Sequence, residues 1–171
     1  MSPPEIGLLE TEEEDAIESF ETFEENALAK ARYFFGKSGL PTMADDSGLV
    51  VRVLGGRPGV HSKRWSGRND LVDQDLDGEN NRLLLESLVG ARDRRAAYVC
   101  VAAFVDSARE IVTRGEVVGE ITYEPRGSNG FGYDPYFLST ELGVTFGEAS
   151  LRAKEEISHR GRAFRLLLER L

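Results

Sequence analysis

The feature that most constrains the fold is the run of residues 96–105, in which every side chain is aliphatic, aromatic or the thiol of Cys100. A run of this length without polar alternation predicts a β-strand that is buried on both faces. Both faces of a sheet are buried only when other layers pack on them, and helical patterns occur on both sides of the run in the sequence. We therefore expect an α/β fold with a mixed central β-sheet flanked by helices, and a buried, reduced Cys100.

The remaining patterns complete this expectation without dividing the chain. Apolar residues recur at spacings of three and four from Phe20 to Phe34, which predicts an amphipathic helix that ends near Gly36. Further helices are expected at residues 79–88, 151–157 and 162–171. Strands are expected at residues 42–44, 49–54, 111–113, 116–122 and 136–138, with a hairpin around residues 107–109. Since no linker or repeat interrupts the sequence, residues 1–171 are interpreted as one domain, with residues 1–18 as an acidic lead-in.

The formal net charge of −9 is concentrated near the N-terminus. Residues 1–25 hold ten of the 30 acidic side chains and no Lys or Arg, which leaves 20 acidic and 21 basic residues in the rest. A body so nearly neutral lacks the basic excess that binds duplex nucleic acid, so no nucleic-acid partner is expected. No apolar run approaches the ~18–20 residues that span a bilayer, so no membrane partner is expected. The single cysteine and the absence of an export leader favour the cytoplasm.

Two adjacent carboxylates, Asp45 and Asp46, precede Ser47 and Gly48 between two of the expected strands. Adjacent carboxylates are unfavourable unless a cation compensates them, and Mg²⁺ is bound in proteins by one or two carboxylates together with substrate phosphates. Neighbouring side chains of a strand point to opposite faces, so only one of the two is expected to face such a metal. The alternative is that residues 45–48 form a turn, for which Asp, Ser and Gly are typical.

Glu25 stands where a helix is expected to begin, three residues after Thr22. This spacing matches a capping box, in which the two side chains satisfy backbone N–H groups at the start of the helix. Capping is the favoured interpretation of Glu25 alone. It does not exclude a metal-binding role, because a glutamate at the start of a helix can also face the end of a sheet.

A glycine-rich loop at residues 126–135 places Phe131, Tyr133 and Asp134 among three glycines. Glycines allow the backbone to approach a ligand closely, and aromatic rings between them can stack on a base. The alternative is a long connection whose aromatic rings pack into the core. Gly132 lies between the two rings and belongs to the same candidate surface.

A basic segment near the C-terminus is the candidate anion site. It contains Lys154, His159 and Arg160, and Ser158 could cap a helix whose N-terminus favours negative charge. The alternative is a solvated basic face that precedes an amphipathic helix.

Taken together, these segments resemble the Ham1/RdgB group of inosine triphosphate pyrophosphatases. The segments that carry the resemblance are residues 22–27, 44–49, 54–60 with Ser62 and Arg64, 130–135, and 158–161. Each is weak alone, but their order and spacing agree with the family from about Thr22 to the C-terminus.

The resemblance implies an inosine triphosphate pyrophosphatase-like fold and Mg²⁺-dependent hydrolysis of ITP, dITP and XTP to the monophosphate and pyrophosphate, in a cytoplasmic homodimer. It makes Asp46 the general base and a metal ligand, and Glu25 a second metal ligand. It assigns substrate contacts to Ser47, Phe131, Gly132, Tyr133, Asp134, Lys154, His159 and Arg160. Donors from His159 and Arg160 would meet the 6-oxo group of the purine, where adenine carries an amino group instead.

One part of the family pattern has no counterpart in this sequence. Members usually begin with a strand and a Thr/Ser-x-Asn-x-x-Lys loop that holds the triphosphate, and nothing in residues 1–22 matches it. The chain is therefore expected to be incomplete at its N-terminus and to show low stability or activity. A nucleotide-binding relative with weakened catalysis, or a metal-dependent phosphatase of other nucleotides or sugar phosphates, are the alternatives. Every enzymatic interpretation requires Asp46 to share a pocket with Phe131 and Arg160.

Overall fold

A computed structural model describes Ile17 and residues 19–171. Nearly all of the expected acidic lead-in, residues 1–18, lies outside the described residues. The same holds for most of residues 1–22, in which the family's phosphate loop was not found. Four strands form one sheet in the order β1-β2-β3-β4: β1 Thr42–Val51, β2 Arg95–Val105, β3 Glu110–Ile121 and β4 Phe137–Ser139. Among the described residues, four α-helices pack around the sheet: α1 Phe23–Ser38, α2 Asp73–Ser87, α3 Leu151–Ile157 and α4 His159–Leu168.

The apolar strand β2 lies inside the sheet, as its composition predicts. One face, which includes Val99 and Val101, packs with α1 through Ala27 and Ala31. The other face packs with α4 through a cluster that consists of Cys100, Ala102, Phe104, Ala163 and Leu167. The prediction of a strand covered on both faces, and of an α/β fold with flanking helices, is confirmed.

Gly115 explains how closely α4 approaches this sheet. A Cβ atom at position 115 would lie 2.3 Å from the backbone oxygen of His159 and 2.4 Å from the backbone nitrogen of Ala163. Only a residue without a side chain therefore allows the first turn of α4 to rest on β3. This contact brings His159 and Arg160 to the sheet.

Several elements differ from the sequence-based expectation in extent. Residues 45–48 do not form a turn, because they lie inside β1 and pair in register with residues 99–102 of β2. The two segments expected at residues 111–122 are one continuous strand, β3. All three strand pairings among the described residues are antiparallel, whereas a mixed sheet was expected. The long apolar β2 extends both neighbours, because a buried strand needs partners for its backbone along its whole length.

The helices agree more closely with the sequence patterns. α1 continues past Gly36 and ends at Gly39, whose φ of +68° is the left-handed conformation that glycine adopts readily. α2 begins six residues before the expected start, and α4 begins at His159 rather than residue 162. The helix at Leu151–Ile157 has the expected bounds. Within the described part of the chain, no helix is both long and apolar enough to cross a membrane.

Candidate active site

The acidic residues of β1 are divided between the two faces of the sheet. Asp46 contacts Asn26 and Lys30 of α1 on one face. Asp45 contacts Arg160 of α4 on the other face, and the same arginine contacts Ser47. The expected alternation of a regular strand is therefore confirmed, and only one of the two carboxylates faces each side.

Asp46 is held by polar groups of α1. Its Oδ2 accepts a hydrogen bond of 2.9 Å from Nδ2 of Asn26, and its Oδ1 lies 3.8 Å from Nζ of Lys30. Asn26 is 1% exposed and also exchanges hydrogen bonds with the backbone of Phe20, which fixes its amide. Asp46 is itself buried. The carboxylate therefore has a defined orientation near the start of α1, and neither Asn26 nor Lys30 was singled out from the sequence.

The predicted capping box is confirmed for Thr22, which caps α1, whereas the Glu25 side chain accepts from the Thr22 hydroxyl and not from a backbone N–H group. The backbone N–H of Glu25 donates to Oγ1 of Thr22, and the Thr22 hydroxyl donates to Oε2 of Glu25 at 2.7 Å. The Glu25 side chain is exposed, one residue before the asparagine that holds Asp46. Glu25 belongs to the first turn of α1, and Asp46 of β1 is bonded to Asn26 of the same turn.

The carboxylates near the start of α1 are the residues that could hold a magnesium ion. No group of three or more His, Cys, Asp or Glu side chains that could hold a metal occurs among the described residues. Mg²⁺ does not require such a group, because it is commonly held by one or two carboxylates plus phosphate oxygens and water. Asp46 and Glu25 are the two carboxylates that could serve as such ligands.

On the opposite face, Arg160 is fixed to two residues of β1. Its Nε donates to Oδ2 of Asp45 at 3.0 Å and its Nη2 donates to Oγ of Ser47 at 3.3 Å. The thiol of Cys100 donates to the same Oδ2 of Asp45 at 3.4 Å. Burial, together with the charge of Asp45, raises the pKa of Cys100 to about 12, so Cys100 is a protonated thiol. This confirms that Cys100 is buried and reduced.

Asp134 organises the glycine-rich loop. Its carboxylate accepts hydrogen bonds from the backbone N–H of Phe131 at 2.9 Å and from the hydroxyl of Tyr98 at 3.2 Å, and it forms an ion pair with Lys154. Asp134 is 2% exposed. A Cβ at Gly130 would lie 1.9 Å from Oδ2 of Asp134, so the loop can close around this carboxylate only with glycine there.

The two aromatic residues of the loop have different surroundings. Phe131 is 75% exposed, and Nζ of Lys154 lies 5.0 Å from the centre of its ring. Tyr133 is buried and donates a hydrogen bond to the backbone oxygen of Ser62. Phe131 therefore offers a ring for stacking, whereas the Tyr133 side chain packs into the core, as the alternative interpretation predicts.

Gly132 is anchored by two residues of α2. Its N–H donates to Asp77 at 2.7 Å, and its backbone oxygen accepts from Nδ2 of Asn81 at 2.9 Å. The sequence analysis did not single out Asp77 or Asn81. The sequence shows only that both residues belong to an amphipathic helical pattern. That pattern does not predict a contact with Gly132, which is 51 to 55 residues away.

His159 lies between the loop and Arg160. Its ring stacks on Tyr98 with a centroid distance of 5.1 Å, and its Nδ1 is buried without a hydrogen-bond partner among the described residues. Burial, and then the positive charges of Arg160 and Lys154, lower the pKa of His159 to about 4. The imidazole is therefore neutral near pH 7.

The buried His159 is expected to make stability depend on pH. Its pKa in the folded protein, about 4, lies below its ordinary value of 6.5, so the unfolded chain binds the proton first as the pH falls. This contribution to stability is complete above pH 6.5 and is lost between pH 6.5 and about 4, to a maximum of about 3 kcal/mol. Urea unfolding of the His159→Gln variant across this range is expected to show a flatter pH dependence than the parent protein.

The other histidine of the chain, His61, is exposed and provides the matched control. His61→Gln is expected to leave the pH dependence of the unfolding free energy unchanged. Equal slopes for the parent protein and His159→Gln would contradict the neutral, buried state of His159.

The described structure thus brings most of the candidate residues into two groups that meet at β1. The α1-face cluster consists of Asp46, Asn26 and Lys30, with Glu25 nearby in α1. The α4-face cluster consists of Asp45, Ser47, Phe131, Asp134, Lys154, His159 and Arg160. The two clusters lie on opposite faces of a strand that is at the edge of the sheet formed by the described residues. The expected common pocket of Asp46 with Phe131 and Arg160 is therefore not formed on one face of β1, and a ligand could contact both clusters only by passing along this edge.

These features define an α/β protein in which the buried Asp46 lies on one side of β1 and a cluster of aromatic rings and ion pairs lies on the other. A model of the Ham1 family matches residues 3–170. The dITP/XTP pyrophosphatase of Aromatoleum aromaticum is 51% identical over 160 residues, which are 92% of this chain and 78% of that protein. The dITP/XTP pyrophosphatase of Frankia alni is 51% identical over 155 residues, which are 89% of this chain and 77% of that protein.

Solved structures agree with this match. The Ham1 protein of Coxiella burnetii superposes with a TM-score of 0.83 at 39% identity, over 96% of this chain and 81% of that chain. The Ham1 protein of Staphylococcus aureus superposes with a TM-score of 0.81 at 40% identity, over 88% of this chain and 76% of that chain. The chain belongs to the Ham1 family.

Proposed function

We propose that this protein hydrolyses non-canonical purine nucleoside triphosphates (ITP, dITP and XTP) to the nucleoside monophosphate and pyrophosphate. The observation that carries the proposal is the identity of 51% to a dITP/XTP pyrophosphatase over 92% of this chain. The role of such an enzyme is to remove deaminated purine nucleotides before a polymerase incorporates them. The proposal commits the protein to acid-anhydride hydrolysis.

The α4-face cluster supports binding of the nucleoside. The exposed ring of Phe131 provides a stacking surface, and the imidazole of His159 and the guanidinium of Arg160 belong to the same cluster. A neutral imidazole in the appropriate tautomer donates one hydrogen bond to a 6-oxo group. An adenine amino group at that position would leave such a buried donor unpaired, which disfavours ATP.

The α1-face cluster supports the hydrolytic step. We propose that Asp46 accepts the proton of the attacking water, and that Asn26 keeps its carboxylate in one orientation. Asp46 and Glu25 would hold Mg²⁺, which when bound neutralises phosphate oxygens and stabilises the charge that develops in the transition state. We place the nucleotide across β1 at residues 45–47, where it would contact both clusters, with its phosphates toward α1 and its base toward α4.

Hydrolysis of dITP, XTP, dATP and UTP, measured as pyrophosphate release with and without Mg²⁺, tests the proposal. We expect turnover of dITP and XTP that requires Mg²⁺, with much slower turnover of dATP and UTP. Binding of dITP in calorimetry without any hydrolysis would favour a nucleotide-binding relative with weakened catalysis. Preferential hydrolysis of UTP, or of a sugar phosphate in a parallel phosphate-release assay, would contradict the purine specificity.

We also propose that the protein acts in the cytoplasm as a homodimer. The buried thiol of Cys100 is compatible with a reducing compartment. Light scattering of the purified protein tests the oligomeric state, since a mass near 18.9 kDa would indicate a monomer.

A further inference from the structure

We infer that Asp45 is a positioning residue that determines purine specificity, because it holds the guanidinium of Arg160 in the orientation that recognises an oxo group. The inference rests on the proposed function and concerns a residue of β1 that faces away from Asp46. It assigns a separate task to each member of the Asp45–Asp46 pair. Asp45 acts through Arg160 and does not itself touch the reacting atoms.

The geometry gives Asp45 this role. Arg160 makes two hydrogen bonds to side chains on the same face of β1, from Nε to Asp45 and from Nη2 to Ser47. A guanidinium is planar, so two such bonds fix both its position and its plane. Nε and Nη2 are used in this way, and the exposed remainder of the guanidinium can face a ligand.

The exposure of the pair argues against a merely stabilising ion pair. The Arg160 side chain is 56% exposed, while that of Asp45 is 19% exposed and also accepts the thiol of Cys100. An ion pair with so exposed a partner contributes little to stability, because water screens the attraction between the charges. The carboxylate of Asp45 is fixed in the sheet, and it orients the exposed guanidinium of Arg160 at the surface.

The charges of the α4-face cluster indicate what Arg160 recognises. Lys154 is paired with Asp134, Arg160 is paired with Asp45, and His159 is neutral at pH 7. Each cation therefore has its own carboxylate, and the cluster presents hydrogen-bond donors without a large excess of positive charge. Such a surface suits the uncharged carbonyl of an oxopurine better than a phosphate, so its selectivity depends on the orientation of the donors.

Substitution of Asp45 tests the inference through substrate selectivity. For Asp45→Ala we expect kcat/KM for dITP to fall by ~10–100-fold and kcat/KM for dATP to change little, because only the oxo group uses the oriented donors. Asp45→Asn retains an oxygen that can accept from Nε, so we expect it to recover activity toward dITP to within ~5-fold of the parent protein. A purely structural role would lower kcat/KM for both substrates alike.

Glu110→Ala is the matched control, since it removes a carboxylate from an exposed arginine pair in the same sheet, with Arg32 at 2.6 Å. It is expected to leave the selectivity unchanged. In an Arg160→Lys background, Asp45→Ala should cause no further loss of selectivity, because the planar group that Asp45 orients is already absent. This comparison also applies if Asp45→Ala alone lowers the thermal midpoint.

The outcomes separate the inference from the proposed function. A parent protein that hydrolyses neither dITP nor XTP would contradict the proposed function and this inference with it. A parent protein that hydrolyses dITP, together with an Asp45→Ala variant that keeps the parent ratio of dITP to dATP turnover, would overturn the inference alone. Equal and additive losses in the Arg160→Lys background would overturn it as well.

Discussion

Asp46→Asn is expected to lower kcat for dITP hydrolysis by roughly 1,000-fold or more, because the amide can neither accept the proton of water nor bind Mg²⁺ as a carboxylate does. The fold should survive. The amide is nearly isosteric with the carboxylate, and its oxygen can still accept the hydrogen bond from Nδ2 of Asn26. Pyrophosphate release under saturating Mg²⁺ measures the loss, and the thermal midpoint measures the fold.

Asp93→Asn is the appropriate control for this change. Asp93 is a half-buried carboxylate that pairs with Arg95, the first residue of β2. Val101, the partner of Asp46 in the sheet, follows Arg95 by six residues in the same strand. Asp93→Asn should leave kcat unchanged. An Asp46→Asn variant that keeps more than about a tenth of the parent turnover would show that the general base lies elsewhere, since a positioned base contributes ~10²–10⁴-fold.

Asp134→Ala is expected to destabilise the protein by about 3–5 kcal/mol, because it removes one partner of a largely buried ion pair. Lys154 would lose its carboxylate, and both the Tyr98 hydroxyl and the Phe131 N–H would lose their acceptor. Urea unfolding monitored by circular dichroism measures this loss. Since the same carboxylate organises the loop that carries Phe131, KM for dITP should rise in the fraction that remains folded.

The double variant Asp134→Ala/Lys154→Met separates charge from packing. It should be more stable than Asp134→Ala alone, because no uncompensated cation remains beside Phe131 and Phe146. If the free energy of unfolding of Asp134→Ala lay within about 1 kcal/mol of that of the parent protein, the ion pair would be solvated and Asp134 would not organise the loop.

Local patterns were sufficient to predict the frame of the molecule. The apolar run around Cys100 has one stable solution, a strand inside a sheet, and Thr22 with Glu25 has the spacing of a capping box. The alternation of Asp45 and Asp46 also follows from strand geometry alone. The structure preserves this alternation because β2 pairs without interruption with residues 45–48.

The parts that the sequence did not predict depend on contacts between distant segments. No local pattern indicates that Asn26 holds Asp46, since the two are 20 residues apart, or that Arg160 reaches back 115 residues to Asp45. The two aromatic residues of the glycine-rich loop look equivalent in the sequence. They differ in the structure because the Tyr133 hydroxyl donates a hydrogen bond to the backbone oxygen of Ser62 and is buried. The Phe131 ring carries no polar group and is exposed.

The alternation along β1 has a consequence for how this sequence can change. A substitution at one of residues 45–47 affects one face, but inserting or deleting a single residue upstream within the strand would turn each side chain to the opposite face. Asp46 would then point toward Arg160, and a neighbouring residue would occupy its place beside Asn26. We therefore expect natural variation in this strand to proceed by replacement and length variation to be confined to the connections outside it.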